Sequence, residues 1–162
     1  MANLLGVEDM LATKFQPIAK RQAIFAMEGI DSFMVKSAQR PTVTTEEVAI
    51  NWINTTRYIA GKTTFGPISL VLHSAIAPST DQQIMEWSKL CYEPVTGRAG
   101  YADFYKRDIQ IKILDPVGVV ISLWDIKGAF ITEANFGDIT YEGSESAEIN
   151  LTIRYDVAVL QY

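Results

Sequence analysis

A strand, a turn and an amphipathic helix follow one another in residues 60–94, and this order constrains the fold more than any other feature. Branched apolar residues predict the strand over 68–73. Thr80 is the predicted helix N-cap, with Gln83 completing a capping box, and the helix covers about residues 80–93. Its apolar stripe consists of Ile84, Trp87, Leu90 and Cys91. A helix of about three turns cannot bury such a stripe alone, so it must pack on a sheet.

The rest of the chain supplies strands for that sheet. Alternating apolar and polar residues predict strands over residues 43–53, 108–113, 119–124, 130–140 and 148–159, and two strands paired around a tight turn over 21–38. Hydrophobic residues make up 48% of the chain and charged residues 20%, which is typical of a globular protein. We therefore predict a mainly β protein, an antiparallel β-sandwich or barrel with one covering helix.

The N-terminal residues form a predicted arm. Residues 1–18 precede the predicted β domain of residues 19–162. Leu4, Val7, Leu11 and Phe15 recur at helical spacing in this arm. It is either a short amphipathic helix that docks on another surface or a frayed tail.

Charge and composition exclude several classes of function. The formal net charge is −5 and the sequence pI about 4.9, whereas proteins that grip nucleic acid through its phosphates are usually basic. No apolar run approaches the roughly 18 residues of a membrane span, and no basic segment precedes an apolar one as in a secretory signal. A single cysteine excludes an internal disulfide and fits a reducing compartment.

No residue pattern predicts catalysis. His73 is the only histidine and ends an apolar strand, and Cys91 belongs to the helix stripe, so both are expected to pack. Metal ligands at suitable spacing are absent from the sequence, and no cofactor motif is complete. We therefore expect no catalytic, cofactor-binding or metal-binding residues.

Residues 54–64 are predicted to form a long polar loop between two strands. They read NTTRYIAGKTT. Loops of this length in compact domains are often contact or functional loops.

The order of these elements resembles the tail tube proteins of contractile-tailed bacteriophages, a superfamily that includes type VI inner-tube proteins. Three stretches carry the resemblance: residues 33–38 before a Pro-containing loop, residues 58–65 with the Ala-Gly-x-x-Thr-Phe segment, and the strand-to-helix passage with Asp81 and Trp87. The likeness covers about residues 20–162.

The resemblance implies a β-sandwich closed by the helix, with six copies in a ring and rings stacked into a hollow tube. A polar segment would contact the next ring, namely Thr55, Thr56, Arg57, Tyr58, Ile59, Ala60, Gly61, Lys62 and Thr63. The N-terminal arm would add ring contacts, and Glu47 and Glu133 would face the lumen.

The same resemblance implies the partners and the location of the protein. A sheath protein would bind outside the tube, and the tape measure protein and then genomic DNA would occupy the lumen. Baseplate and tail terminator proteins would adjoin the tube ends. The protein would be part of a virion tail that is assembled in the bacterial cytoplasm, and it would not contact a membrane.

Three alternatives stay open at this point. The chain is also similar to the inner tube of a type VI secretion system or a phage-tail-like bacteriocin, or to a baseplate protein that starts a tube. A lipocalin-type barrel that binds a small ligand has the same strand content. An enzyme would need His73, Cys91 or an acidic pair in a pocket.

Overall fold

The computed structural model describes residues 17–143 and 145–162, so most of the predicted N-terminal arm, residues 1–18, lies outside the described residues. Eleven strands and two helices follow in this order: β1 Ala23–Met27, β2 Val35–Ala38, β3 Val43–Trp52, β4 Thr55–Phe65, β5 Ile68–His73, α1 Thr80–Cys91, β6 Tyr92–Glu93, β7 Arg98–Ala99, α2 Ala102–Tyr105, β8 Arg107–Leu114, β9 Val120–Asn135, β10 Glu148–Arg154 and β11 Val157–Leu160. A short 3-10 helix, Ser32–Met34, precedes β2.

Seven strands form one continuous antiparallel sheet in the order β1-β8-β9-β10-β5-β2, with β11 also paired to β9. We call β1, β8, β11 and the first part of β9 sheet A, and β2, β5, β10 and the second part of β9 sheet B. The two sheets enclose one core, because inward-facing residues of both belong to a single buried cluster. The predicted mainly β sandwich is confirmed.

Strand β9 runs through both sheets and turns the corner between them at Gly128. Its first part pairs with β8 and β11, and its last part pairs with β10. Gly128 has a φ of 69°, in the region that favours glycine, and a Cβ placed there would meet Asp156 Oδ2 at 2.2 Å. The strands predicted over 119–124 and 130–140 are therefore one long strand.

The final predicted strand, 148–159, divides at the same corner. Residues Glu148–Arg154 pair within sheet B, whereas Val157–Leu160 pair within sheet A. Asp156 lies at the division, where its backbone N–H donates to the Lys127 carbonyl and its carboxylate accepts from Lys106 Nζ at 2.6 Å. The alternation of apolar and polar residues continues across this division. It therefore predicted that both segments are strands, but not that they pair in different sheets.

Helix α1 packs on the core through Ile84 and Trp87, both of which are buried. Trp87 Nε1 donates to the Tyr105 carbonyl at 2.7 Å, and the Arg107 guanidinium lies 5.0 Å from the centre of the indole ring. Of the other two stripe residues, Leu90 is 40% exposed and Cys91 is half-buried. The side of α1 that reaches the core is therefore narrower than the predicted stripe.

The predicted capping box of α1 is wrong by one residue. Ser79 is the N-cap, and its hydroxyl accepts from the Gln82 N–H at 3.4 Å. Thr80 is instead fully buried as the first helical residue, where its hydroxyl donates to the His73 carbonyl and accepts from the Ala75 N–H, each at 3.2 Å. Thr80 therefore joins the helix start to the end of β5.

The hairpin predicted over 21–38 is also wrong. Strand β1 pairs with β8 in sheet A, and β2 pairs with β5 in sheet B. Between them, Gly29 adopts a φ of 84° and the 3-10 helix buries Met34. This segment therefore carries the chain from one sheet to the other instead of closing a turn.

Candidate assembly surfaces

Strands β3 and β4 form a long hairpin, which corrects the predicted loop over 54–64. Their register runs from Val43 opposite Phe65 to Trp52 opposite Thr55, and only Ile53 and Asn54 form the turn. The segment looked like a loop because it is rich in threonine and contains Gly61. Thr, Tyr and Ile are nevertheless strong strand formers, and they pair with the alternating residues of β3. The predicted stacking residues Thr55–Thr63 thus lie in β4.

The hairpin projects from the sandwich with little cover. It forms a separate two-stranded sheet, and every residue of β3 is exposed. Its base is held by the Gly66 N–H, which donates to the Thr42 carbonyl at 2.9 Å. Phe65 also packs against Tyr155, with ring centres 5.9 Å apart. A two-stranded ribbon is at best marginally stable in water by itself, so contact with another surface would stabilise the rest of the hairpin.

The two faces of the hairpin differ in polarity. One face carries Val48, Ile50 and Trp52 of β3 opposite Ile59, Arg57 and Thr55 of β4. The four large apolar side chains of this face are 45% exposed or more. The other face carries Glu47, Ala49 and Asn51 of β3 with Thr56, Tyr58 and Ala60 of β4. An uncovered row of large apolar side chains is typical of a protein–protein contact.

Sheet B has a polar outward face. Its inward residues are the apolar ones of β5 and β10, and its outward residues include Ser69, His73, Asn150 and Thr152. The charged side chains of its strands are Lys36, Glu133, Glu148 and Arg154. Lys36 and Glu148 form an ion pair. Positive and negative charges are therefore equal in number on the strands of this face.

The two predicted lumen residues lie on different surfaces. Glu133 is exposed in β9, opposite Thr152 on the outward face of sheet B. Glu47 lies on the polar face of the hairpin, opposite Ala60. The structure does not bring the two carboxylates together on one sheet.

Sheet B has a free edge on each side. Strand β2 pairs only with β5, and the second part of β9 pairs only with β10 beyond the point where β8 begins. Among the described residues, no other strand covers these edges. Free edges attract further strands, so they are suited to joining copies of one sheet.

His73 and Cys91, the residues considered for catalysis, do not lie together in a catalytic site. His73 ends β5 opposite Glu148 in the register of β10. Cys91 ends α1, and partial burial raises the pKa of its thiol, which keeps it protonated. Within residues 17–143 and 145–162, no group of three or more His, Cys, Asp or Glu residues could hold a metal ion. In the same part of the chain, no helix is long and apolar enough to span a membrane.

Two features of the surface were not predicted from the sequence. The apolar face of the hairpin follows the alternation of Val48, Ile50 and Trp52, which was recognised as a strand but not as an uncovered surface. A groove of about 990 Å³ between β1 and β2 depends on strands that are distant in sequence. No local sequence pattern indicates that β1 and β2 do not pair with each other.

Solved structures with the same fold were found, although no protein-family model and no curated protein matches the chain. A cryo-EM structure of the anti-feeding prophage cap, its tube terminating cap, has a TM-score of 0.75 at 17% identity, covering 91% of this chain and 92% of that chain. The sheath/tube terminator of an extracellular contractile injection system in the extended state also has a TM-score of 0.75, at 14% identity over 92% and 99%.

A third match comes from the sheath–tube complex of that extracellular system. Its TM-score is 0.68 at 15% identity, covering 97% of this chain and 98% of that chain. At these identities the likeness concerns the fold, and it extends over nearly the whole length of each chain. The chain therefore shares the fold of these solved structures.

Proposed function

We propose that this protein is a structural subunit, not an enzyme, which forms rings of the inner tube of a contractile injection apparatus. The observation that carries the proposal is the amphipathic hairpin, whose apolar face is uncovered although the sandwich below it has a buried core of its own. A second copy of the chain is the partner that a tube supplies at every position. The fold shared with tube-system structures supports this assignment.

The ring is proposed to form through sheet B. The free edge of β2 and the free edge of β9 lie on opposite sides of that sheet, so each copy can pair with two neighbours. Contacts between two different surfaces close into a ring when the rotation allows it. Six copies is the number that the resemblance to tail tube proteins implies.

The rings are proposed to stack through the hairpin. The predicted stacking residues Thr55–Thr63 form one of its two strands, and the apolar face lies across both. A contact that repeats in one direction without closing produces a filament, as a tube requires. A sheath outside and baseplate and terminator proteins at the ends are the partners expected for such a tube.

The outward face of sheet B is proposed to line the lumen. It is polar, and the charges on its strands balance. Such a wall neither attracts a passenger strongly nor exposes apolar surface to it. In a phage tail the passenger would be genomic DNA, following the tape measure protein, and the tube would belong to the virion.

A second candidate is a ring that ends the tube. The matches from a tube terminating cap and a sheath/tube terminator have higher TM-scores, 0.75 each, than the match from the sheath–tube complex, 0.68. A terminator would form single rings at every concentration, whereas a tube subunit would form tubes of increasing length. Negative-stain electron microscopy of the purified protein over a range of concentrations separates the two.

The hairpin allows a specific test of stacking. Residues 46–62 are replaced by Asn-Gly, which keeps the pair between Thr45 and Thr63, whose hydroxyl oxygens are 3.1 Å apart, and closes a two-residue turn. We expect the shortened protein to remain folded by circular dichroism and to form no tubes under conditions in which the unmodified protein forms them. The substitution Asn51→Thr on the polar face is the control and should leave tubes intact. Long tubes of the shortened protein would refute the role of the hairpin.

A further inference from the structure

The tip of the hairpin is strained and apolar. Ile53, the first residue of its two-residue turn, has a φ of 38°, and it is the only residue other than glycine with a positive φ among the described residues. Hairpin turns that need a positive φ at this position favour glycine, and a β-branched residue there is strained. Backbone strain of this kind concentrates at functional sites.

The side chains at this tip are largely exposed to solvent in the isolated chain. Ile53 is 92% exposed and the adjacent Trp52 is 66% exposed. Glycine at position 53 would relax the turn, and polar residues would be better solvated. A strained isoleucine beside an exposed tryptophan therefore indicates a contact that buries both.

A groove of suitable character lies between β1 and β2. Its volume is about 990 Å³, which falls in the range of pockets that take a whole small ligand and is ample for two side chains. The lining combines apolar and cationic side chains. Its apolar strand residues are Ala23, Phe25, Val35, Ala38, Ile111 and Ile113, and its cationic residues are Lys20, Arg21, Lys36 and Arg40. The groove is thus an open side of the core between the sheets.

The arginines that line the groove suit an indole ring. Arg21 and Arg40 are among the lining residues. A guanidinium binds favourably to the face of a tryptophan ring. Arg107 and Trp87 make this contact inside the same molecule, at 5.0 Å.

The tip of one chain cannot occupy the groove of that same chain. Arg40 lines the groove, and β3 begins at Val43, so the groove adjoins the base of the hairpin. Ten residues of β3 then carry the tip roughly 33 Å away, at about 3.3 Å per residue. The tip can therefore reach a groove only on another molecule, and that contact repeats from tip to base along a stack.

We propose that Trp52 and Ile53 insert into the groove between β1 and β2 of a second copy, as the anchor of the stacking contact. This inference rests on the proposed tube function. It identifies the groove between β1 and β2 as the socket, by which we mean the site that receives the hairpin tip. The fold by itself does not identify this site. The contact would bury the two most exposed apolar side chains of the tip and complete the core of the receiving copy.

The first test measures separately how Ile53 affects the stability of the single chain and how it affects assembly. Ile53→Gly should leave the melting temperature of the dilute, unassembled protein unchanged or higher, because it relaxes the turn. It should raise the concentration needed for assembly at least tenfold, as expected for loss of an anchor residue. Ile139→Gly, which removes an equally exposed isoleucine (90%) elsewhere, is the matched control and should leave assembly unchanged.

The outcomes distinguish this inference from the proposed function. If the unmodified protein assembles and the Ile53→Gly protein assembles equally well, the anchor is refuted while the tube function stands. If the unmodified protein stays monomeric at every concentration, both are refuted.

The second test identifies the socket. Asn54→Cys, in the exposed second residue of the turn, keeps Trp52 and Ile53 in place. Asn54→Cys and Ala23→Cys are made in separate proteins that also carry Cys91→Ser, and the two proteins are mixed and oxidised. We expect a disulfide-linked heterodimer, because Ala23 is an exposed lining residue of the groove. Tyr141→Cys, at a fully exposed position, replaces Asn54→Cys in the control and should give little heterodimer. Equal or absent cross-linking would refute the socket.

Discussion

At the scale of single residues, Gly128 shows how one position directs the path of two strands. Its φ of 69° bends β9 between the sheets, and the Asp156 carboxylate fills the space where a side chain would lie. Lys106 Nζ binds the same carboxylate oxygen, Asp156 Oδ2, at 2.6 Å. The corner therefore depends on both the backbone freedom of glycine and its lack of a Cβ.

We predict that Gly128→Ala lowers the free energy of unfolding by about 2–3 kcal/mol, because it adds a steric clash to the cost of a positive φ. Gly118→Ala is the matched control. Gly118 also has a positive φ, 93°, but no atom lies within 4 Å of a Cβ placed there, so its loss should be about 1 kcal/mol. Urea unfolding followed by tryptophan fluorescence measures both. Equal losses would mean that the contact with Asp156 does not matter.

At the scale of elements, α1 and the hairpin show what periodicity predicts well. The helical spacing of Ile84 and Trp87 predicted a helix and its buried side, and the alternation in β3 predicted a strand. The sequence was less informative at the ends of elements. Ser79 and Thr80 are both good caps by composition, and only the position of β5 determines that Thr80 is buried and Ser79 caps the helix.

We predict different costs for three substitutions at the start of α1. Ser79→Ala removes the N-cap and should cost about 1 kcal/mol of stability. Thr80→Val leaves the Ala75 N–H and the His73 carbonyl without their partner, and should cost about 1–3 kcal/mol, more than the first. Gln83→Ala should change stability by no more than about 0.5 kcal/mol, because Gln83 does not cap the helix. Thermal unfolding ranks the stabilities of the three variants. A large loss of stability for Gln83→Ala would support the capping box after all.

At the scale of the whole molecule, charge is distributed unevenly. The chain has a formal net charge of −5, yet the strands of sheet B carry equal numbers of positive and negative side chains. The excess of acidic residues therefore lies elsewhere. If sheet B lines a lumen, net charge alone does not describe the surface that a passenger meets.

We predict that Glu133→Lys makes assembled tubes retain short double-stranded DNA at low salt, because it leaves an excess of positive charge on the strands of sheet B in every copy. Retention should fall steeply as salt is added, since phosphate contacts release counterions. Glu47→Lys changes the same charge on the hairpin and serves as the control. A gel-shift assay of purified tubes reports retention, and equal retention by both variants would argue against sheet B as the lumen wall.

The sequence by itself determined the secondary structure class, the covering helix and most strand positions, because these depend on local periodicity and residue type. The tertiary structure decided which strands pair. It separated β1 from β2, bent β9 at Gly128, and joined β3 to β4 as an uncovered ribbon. Pairing depends on contacts between residues far apart in sequence, and those contacts create both the groove and the strained tip. The candidate assembly surfaces therefore became visible only in three dimensions.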